Sequence, residues 1–168
     1  RLGRTRTFTL VYGENVRTGT VNSPLRATQE PYSVAVDTGK LSFRVAPGPS
    51  GFLDEVSLAG KGFVPPASRT RNFLDYVHSE KSPPPCVSGL EGAGFRGRTD
   101  VLPGVLVEEA GPLRTTILVR GHQENADLSR FTVRIQAYAN RSYVRVFNTF
   151  TYMGADAARD FICGAGMR

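Results

Sequence analysis

Lysine is nearly missing from this chain. It occurs only at positions 40, 61 and 81, although the 168 residues carry 21 Lys+Arg and a net charge of +6 at pH 7. The basic charge is therefore mostly arginine, whose planar fork matches carboxylates, phosphates and sulfates. The arginines are spread from strand to strand, not gathered into the stripe or patch that marks a nucleic-acid binder. No nucleic-acid partner is expected. Long apolar runs are also absent, so nothing has the length a membrane-spanning helix needs, and no membrane partner is expected. Cysteine is limited to Cys86 and Cys163 and histidine to His78 and His122. There is no CxxC and no Cys/His spacing suited to zinc. The two thiols are open to pairing in an oxidising compartment or to remaining free. The motifs GxSxG, the phosphate loop, HExxH and a catalytic Cys/His pair are all missing. No catalytic residue, cofactor or metal is assigned.

What is present is turn chemistry between alternating runs. Gly 18 and Pro 11 fit a turn-rich all-β chain, and the apolar fraction of 40% is globular. A single domain of this length buries about 70% of its unfolded surface. Strands are predicted at Thr5–Tyr12, Tyr32–Asp37, Lys40–Val45, Phe52–Leu58, Val105–Glu109, Leu113–Gly121, Phe131–Tyr138 and Tyr143–Thr151. The Thr38-Gly39 step makes a hairpin of the second and third. Consecutive short strands with turn signals indicate an all-β, antiparallel β-sandwich. The predicted core is Phe8, Leu10, Val34, Val36, Leu41, Phe43, Ile117, Val119, Phe131, Val133, Ile135, Val144 and Val146. Residues 61–103 hold many of the prolines and glycines and read as one long irregular excursion from the sandwich. A short helix at Ala155–Phe161 is a weak further reading.

The stretch "RFTVRIQAYANRSYVRVFNTFTY" (residues 130–152) reads as two strands joined at Ala139-Asn140-Arg141-Ser142, where Asn tolerates positive φ. Period-two alternation gives each strand one buried face and one free face. Counting parity, Arg120, His122, Arg134, Tyr138, Tyr143 and Arg145 fall on the free side. Arg120, Arg134 and Arg145 share one sheet face if their strands are neighbours. Tyrosines beside arginines suit a sugar acid, with rings against the pyranose and a guanidinium on the carboxylate. The plain alternative is a solvated face, the default for an antiparallel sheet. Within the excursion, "NFLDYVH" clusters Phe73, Tyr76 and His78, which either overhangs a neighbouring cleft or packs on the sandwich. The candidate substrate-binding residues are Arg120, His122, Arg134, Tyr138, Arg145, Tyr76 and His78. The acidic neighbours Asp54-Glu55 and Glu108-Glu109 are expected to point to opposite faces and so not to act as pairs.

Five blocks in order, "VAVDTGKLSFRV", "FLDEVSLAG", "EEAGPLRTTILVRG", "RFTVRIQAYANRSYVRVFNTFTY" and "ARDFICGAGMR", resemble the central β-sandwich of the exo-rhamnogalacturonan lyase and YetA-like family. "TFTLVYGENV" looks like the link from that family's preceding small barrel. The resemblance implies a piece of a longer, extracellular or cell-surface carbohydrate-active protein. Its expected partners are an acidic polysaccharide or oligosaccharide, a small β-barrel before this domain and an α/α toroid after it. The implied reaction is β-elimination on uronate-containing glycans, with most of the catalytic machinery in the toroid and this piece inactive alone. A non-catalytic carbohydrate-binding or structural interaction module is the alternative.

Overall fold

The computed structural model describes residues 7–17, 19–48, 51–64, 72–78, 95–96, 104–123, 126–153 and 160–167. Among these there is no helix. The strands in chain order are β1 (Arg26–Gln29), β2 (Val34–Asp37), β3 (Leu41–Gly48), β4 (Gly51–Leu58), β5 (Lys61–Val64), β6 (Asn72–His78), β7 (Phe95–Arg96), β8 (Val105–Ala110), β9 (Arg114–Gln123), β10 (Ala126–Tyr138), β11 (Val144–Tyr152) and β12 (Asp160–Met167). The first sheet is a meander in the order β1-β2-β3-β4-β5. The second runs β11-β10-β9, and both β7 and β8 pair with β9. β6 and β12 form a separate antiparallel ribbon. All pairings are antiparallel, as short hairpin connections require.

Alternation decides which side of each strand is buried. Val34, Val36, Leu41, Phe43 and Val45 face inward from the first sheet. Val105, Ile117, Val119, Phe131, Val133, Ile135 and Ala137 meet them from the second, in one continuous core. Ile117 and Ile135 are directly opposite each other across β9 and β10 and fully buried. Two polar ties hold the sheets in place. At one end, buried Thr38 accepts from Leu41 N at 2.9 Å and donates from Oγ1 to Arg141 O at 2.7 Å. Asn140 N donates to Thr38 O at 2.7 Å, so the β2–β3 turn is bonded to the β10–β11 turn. Asn140 sits at φ 58° and Gly39 at φ 85°, the left-handed backbone that asparagine and glycine tolerate. Along one side, the Gln29 amide of β1 reaches β8, with Val107 N donating to Gln29 Oε1 at 2.9 Å.

The sandwich and most of its core were predicted correctly, with differences at the margins. Residues 7–12 form no strand, and Phe8 and Leu10 are 86% exposed, not core. Their alternation is real, but within the described chain no strand pairs with it. Val146 is on the core side opposite Ile135, yet 40% exposed because β11 is a sheet edge. Leu113 precedes β9 and is exposed. β1 escaped prediction because "RATQ" has no apolar alternation, its one inward apolar residue being Ala27. β5, β6 and β7 fall within 61–103, so that stretch is not wholly irregular. The rest of it, including Cys86, lies outside the described residues. Of the weak helix at 155–161, residues 160 and 161 are in β12 and the remainder lies outside the described set.

Candidate functional site

The outer face of the second sheet holds most of the predicted site. The register pairs Arg134 with Phe147 on one side and Leu118 on the other. Gln136 lies between Arg145 and Thr116, and Thr132 is opposite Arg120. Arg120, Arg134, Tyr138 and Arg145 therefore share one face, with Arg114 and Arg130 on it as well. Tyr138 and Tyr143 stand with ring centroids 6.3 Å apart and tilted by 42°. Tyr138 Oη donates to Gln136 Oε1 at 2.8 Å, which fixes the ring over the sheet. Arg145 lies over the Phe147 ring at 5.3 Å, a cation–π contact.

His122 is in register with Arg130 and with Arg96 of β7. Tyr76 and His78 are on the β6–β12 ribbon, opposite Ile162 and Asp160, and so belong to a different sheet from the arginines. The side chains of these three lie outside the described residues.

The charge on this face differs from the sequence reading because of a bulge. Val107 pairs with Ile117, but Glu109, not Glu108, pairs with Thr116. A β-bulge places two residues of one strand against one of its partner. Both glutamates consequently reach arginines of the outer face. Arg134 Nε and Nη2 donate to the Glu108 carboxylate at 2.7 and 2.9 Å. Arg114 Nη2 donates to both Glu109 oxygens at 2.8 Å, and Thr116 Oγ1 donates to Glu109 Oε2 at 3.1 Å. The hydrogen bonds from Arg134 hold the Glu108 carboxyl below its ordinary value, and those from Arg114 and Thr116 do the same for Glu109. Each pair is thus fully charged above the ordinary carboxylate pKa and is lost only as pH falls through the lowered one.

Arg134 is therefore not a free cation, and its bridge to Glu108 crosses β9 above Leu118, which is only 3% exposed on this outer side. Its stem shields apolar surface as well as carrying charge. Replacing Arg134 would remove the bridge to Glu108 as well as any ligand contact. Arg120, Arg130 and Arg145 have no ion pair among the described residues. Arg130 and Arg145 are the uncompensated cations of the face, while the Arg120 charge acts on Glu108 and helps to lower its pKa. Parity counting found Arg120 and Arg145. It could not find the glutamates' role, because a bulge leaves no mark in period-two alternation. Among the described residues no group of three or more His, Cys, Asp or Glu is placed to hold a metal.

Two facing antiparallel sheets, one with arginines and tyrosines on its outer face, define a β-sandwich domain. Residues 25–168 match the model of the PcRGLX-like protein central beta sandwich domain, and the chain belongs to that family. It is thus the sandwich domain of a rhamnogalacturonan lyase-like protein, as the five sequence blocks indicate. No curated protein matches it.

Proposed function

We propose that this domain flanks the substrate of a polysaccharide lyase acting by β-elimination on uronate-containing, rhamnogalacturonan-like glycans, with catalysis outside this chain. The observation that carries this reading is the set of three arginines without an ion-pair partner among the described residues, beside the Tyr138–Tyr143 pair on one sheet face. β-Elimination needs a base for the proton beside the uronate carboxylate, a group that neutralises that carboxylate, and an acid at the leaving oxygen. No proton transfer is assigned to the residues on this face. They suit retention of the polymer: Arg120, Arg130 and Arg145 offer donors to uronate carboxylates, and the tyrosines offer ring faces.

The test is titration of the chain with rhamnogalacturonan oligomers at low salt. Arg120→Ala combined with Arg145→Ala is expected to raise Kd severalfold, since each exposed contact contributes on the order of 1 kcal/mol or less. Added salt should shrink the difference, exposed charges being screened over about 10 Å at 0.1 M. If the wild-type chain binds nothing, or the double variant binds equally, the face is only a solvated one.

The bulge supplies a test in the opposite direction. Glu108→Gln with Glu109→Gln releases Arg134 and Arg114 from their carboxylates. Affinity for the same acidic oligomers is expected to rise severalfold at low salt, and calorimetry would show it. An unchanged or weaker Kd would mean that the oligomer does not contact this face.

A further inference from the structure

The other outer face of the sandwich carries a second feature that the acidic-glycan reading does not use. The first sheet bears a depression of about 390 Å³, within the roughly 300–1,000 Å³ of ligand sites. Its residues come in two cross-strand rows. Arg26, Asp37, Ser42 and Ser57 stand in one, and Thr28, Ala35, Arg44 and Glu55 in the next. Small side chains make the floor, and charged ones stand around it.

Arg44 is committed to the rim, where its Nη2 donates to Glu30 Oε2 at 2.9 Å and to Ser33 Oγ at 3.2 Å. Ser33 Oγ itself donates to Glu30 Oε2. By contrast, the side chains of Arg26, Thr28, Ser42, Glu55 and Ser57 have no hydrogen-bond or ion-pair partner among the described residues. Donors and acceptors are thus left over on a grid whose rows are set by strand spacing, about 4.8 Å.

Several ligand classes do not fit. Glu30, Asp37 and Glu55 outnumber Arg26 and Arg44, so a polyanion is not attracted. The lining carries more apolar than polar surface, but the unpaired hydroxyls and charges beside it would be left stranded under a wholly apolar ligand. The ladders of β2 and β3 are paired on both sides, so a peptide cannot add as a strand. An uncharged polyhydroxyl ring can pair with carboxylates, hydroxyls and a guanidinium together.

We propose that this depression binds one neutral pyranose unit of an uncharged glycan. The proposal stands apart from the acidic-glycan reading, because it uses the other sheet and an uncharged ligand. The test is amide chemical-shift mapping of the chain with galactotetraose, mannotetraose and cellotetraose, with tetragalacturonate alongside. Saturable shifts with at least one neutral probe are expected at Thr28, Ala35, Ser42 and Ser57. Ala35→Trp fills the floor and is expected to weaken that binding at least tenfold. If that variant does not fold, Ser57→Leu reads the same effect. No saturable shift with any neutral probe, or shifts confined to β9–β11, overturns the proposal. Tetragalacturonate shifts on β9–β11 bear only on the other face.

Discussion

Ile135→Ala is expected to cost about 2–5 kcal/mol, the range for truncating a large aliphatic side chain in a filled core. Ile135 is fully buried, paired with Ile117 on β9 and Val146 on β11, and part of the continuous core between the sheets. The loss has two sources: the transfer free energy of the removed methyl groups and a cavity that two facing sheets cannot close over. For a chain of this size each kcal/mol lowers Tm by about 2–4 °C. A urea titration should show the midpoint falling with an unchanged slope. A cost below about 1 kcal/mol would mean that the sheets collapse onto the gap, and that the core is less tightly constrained than the zero exposure of Ile135 indicates.

Thr38→Val is expected to destabilise by about 1–3 kcal/mol while leaving side-chain shape nearly unchanged, because it leaves buried polar groups unpaired. Leu41 N and Arg141 O both lose their bond to the hydroxyl. Gly39→Ala damages the same corner for a different reason. Gly39 is at φ 85°, and a Cβ there would lie 2.7 Å from Pro24 Cβ. Thermal melts of both variants check the latch. If Thr38→Val melts with the wild type, the turn-to-turn bonds are incidental and the core alone aligns the sheets.

The fold was legible where the chain alternates and turns sharply. Val34, Val36, Leu41 and Phe43, and the hairpin closed by Asn140, follow from period two and from positive-φ chemistry. Phe8 and Leu10 obey the same alternation and are exposed, since a pattern shows that a segment can be a strand but not that an edge is there to receive it. The shared face of Arg120, Arg134 and Arg145 follows from parity and register. The pairing of Arg134 with Glu108 does not, because it depends on one extra residue in β8. The depression on the first sheet was missed for a related reason. Arg26, Asp37, Ser42 and Glu55 lie on four strands, and β1, which carries Arg26, has no apolar rhythm to announce it.

The bulge in β8 also makes chain length a variable of charge. Val105 and Val107 face inward before it, and Ala110 lies opposite buried Thr115 after it. Without one of the two glutamates, the remaining residues would alternate regularly along β9. A single-codon deletion at this point is therefore compatible with the inward set, while it removes one carboxylate from beneath two arginines. Insertions and deletions in a strand ordinarily scramble inside and outside. Here a one-residue deletion takes away one unit of surface charge while the interior keeps its order.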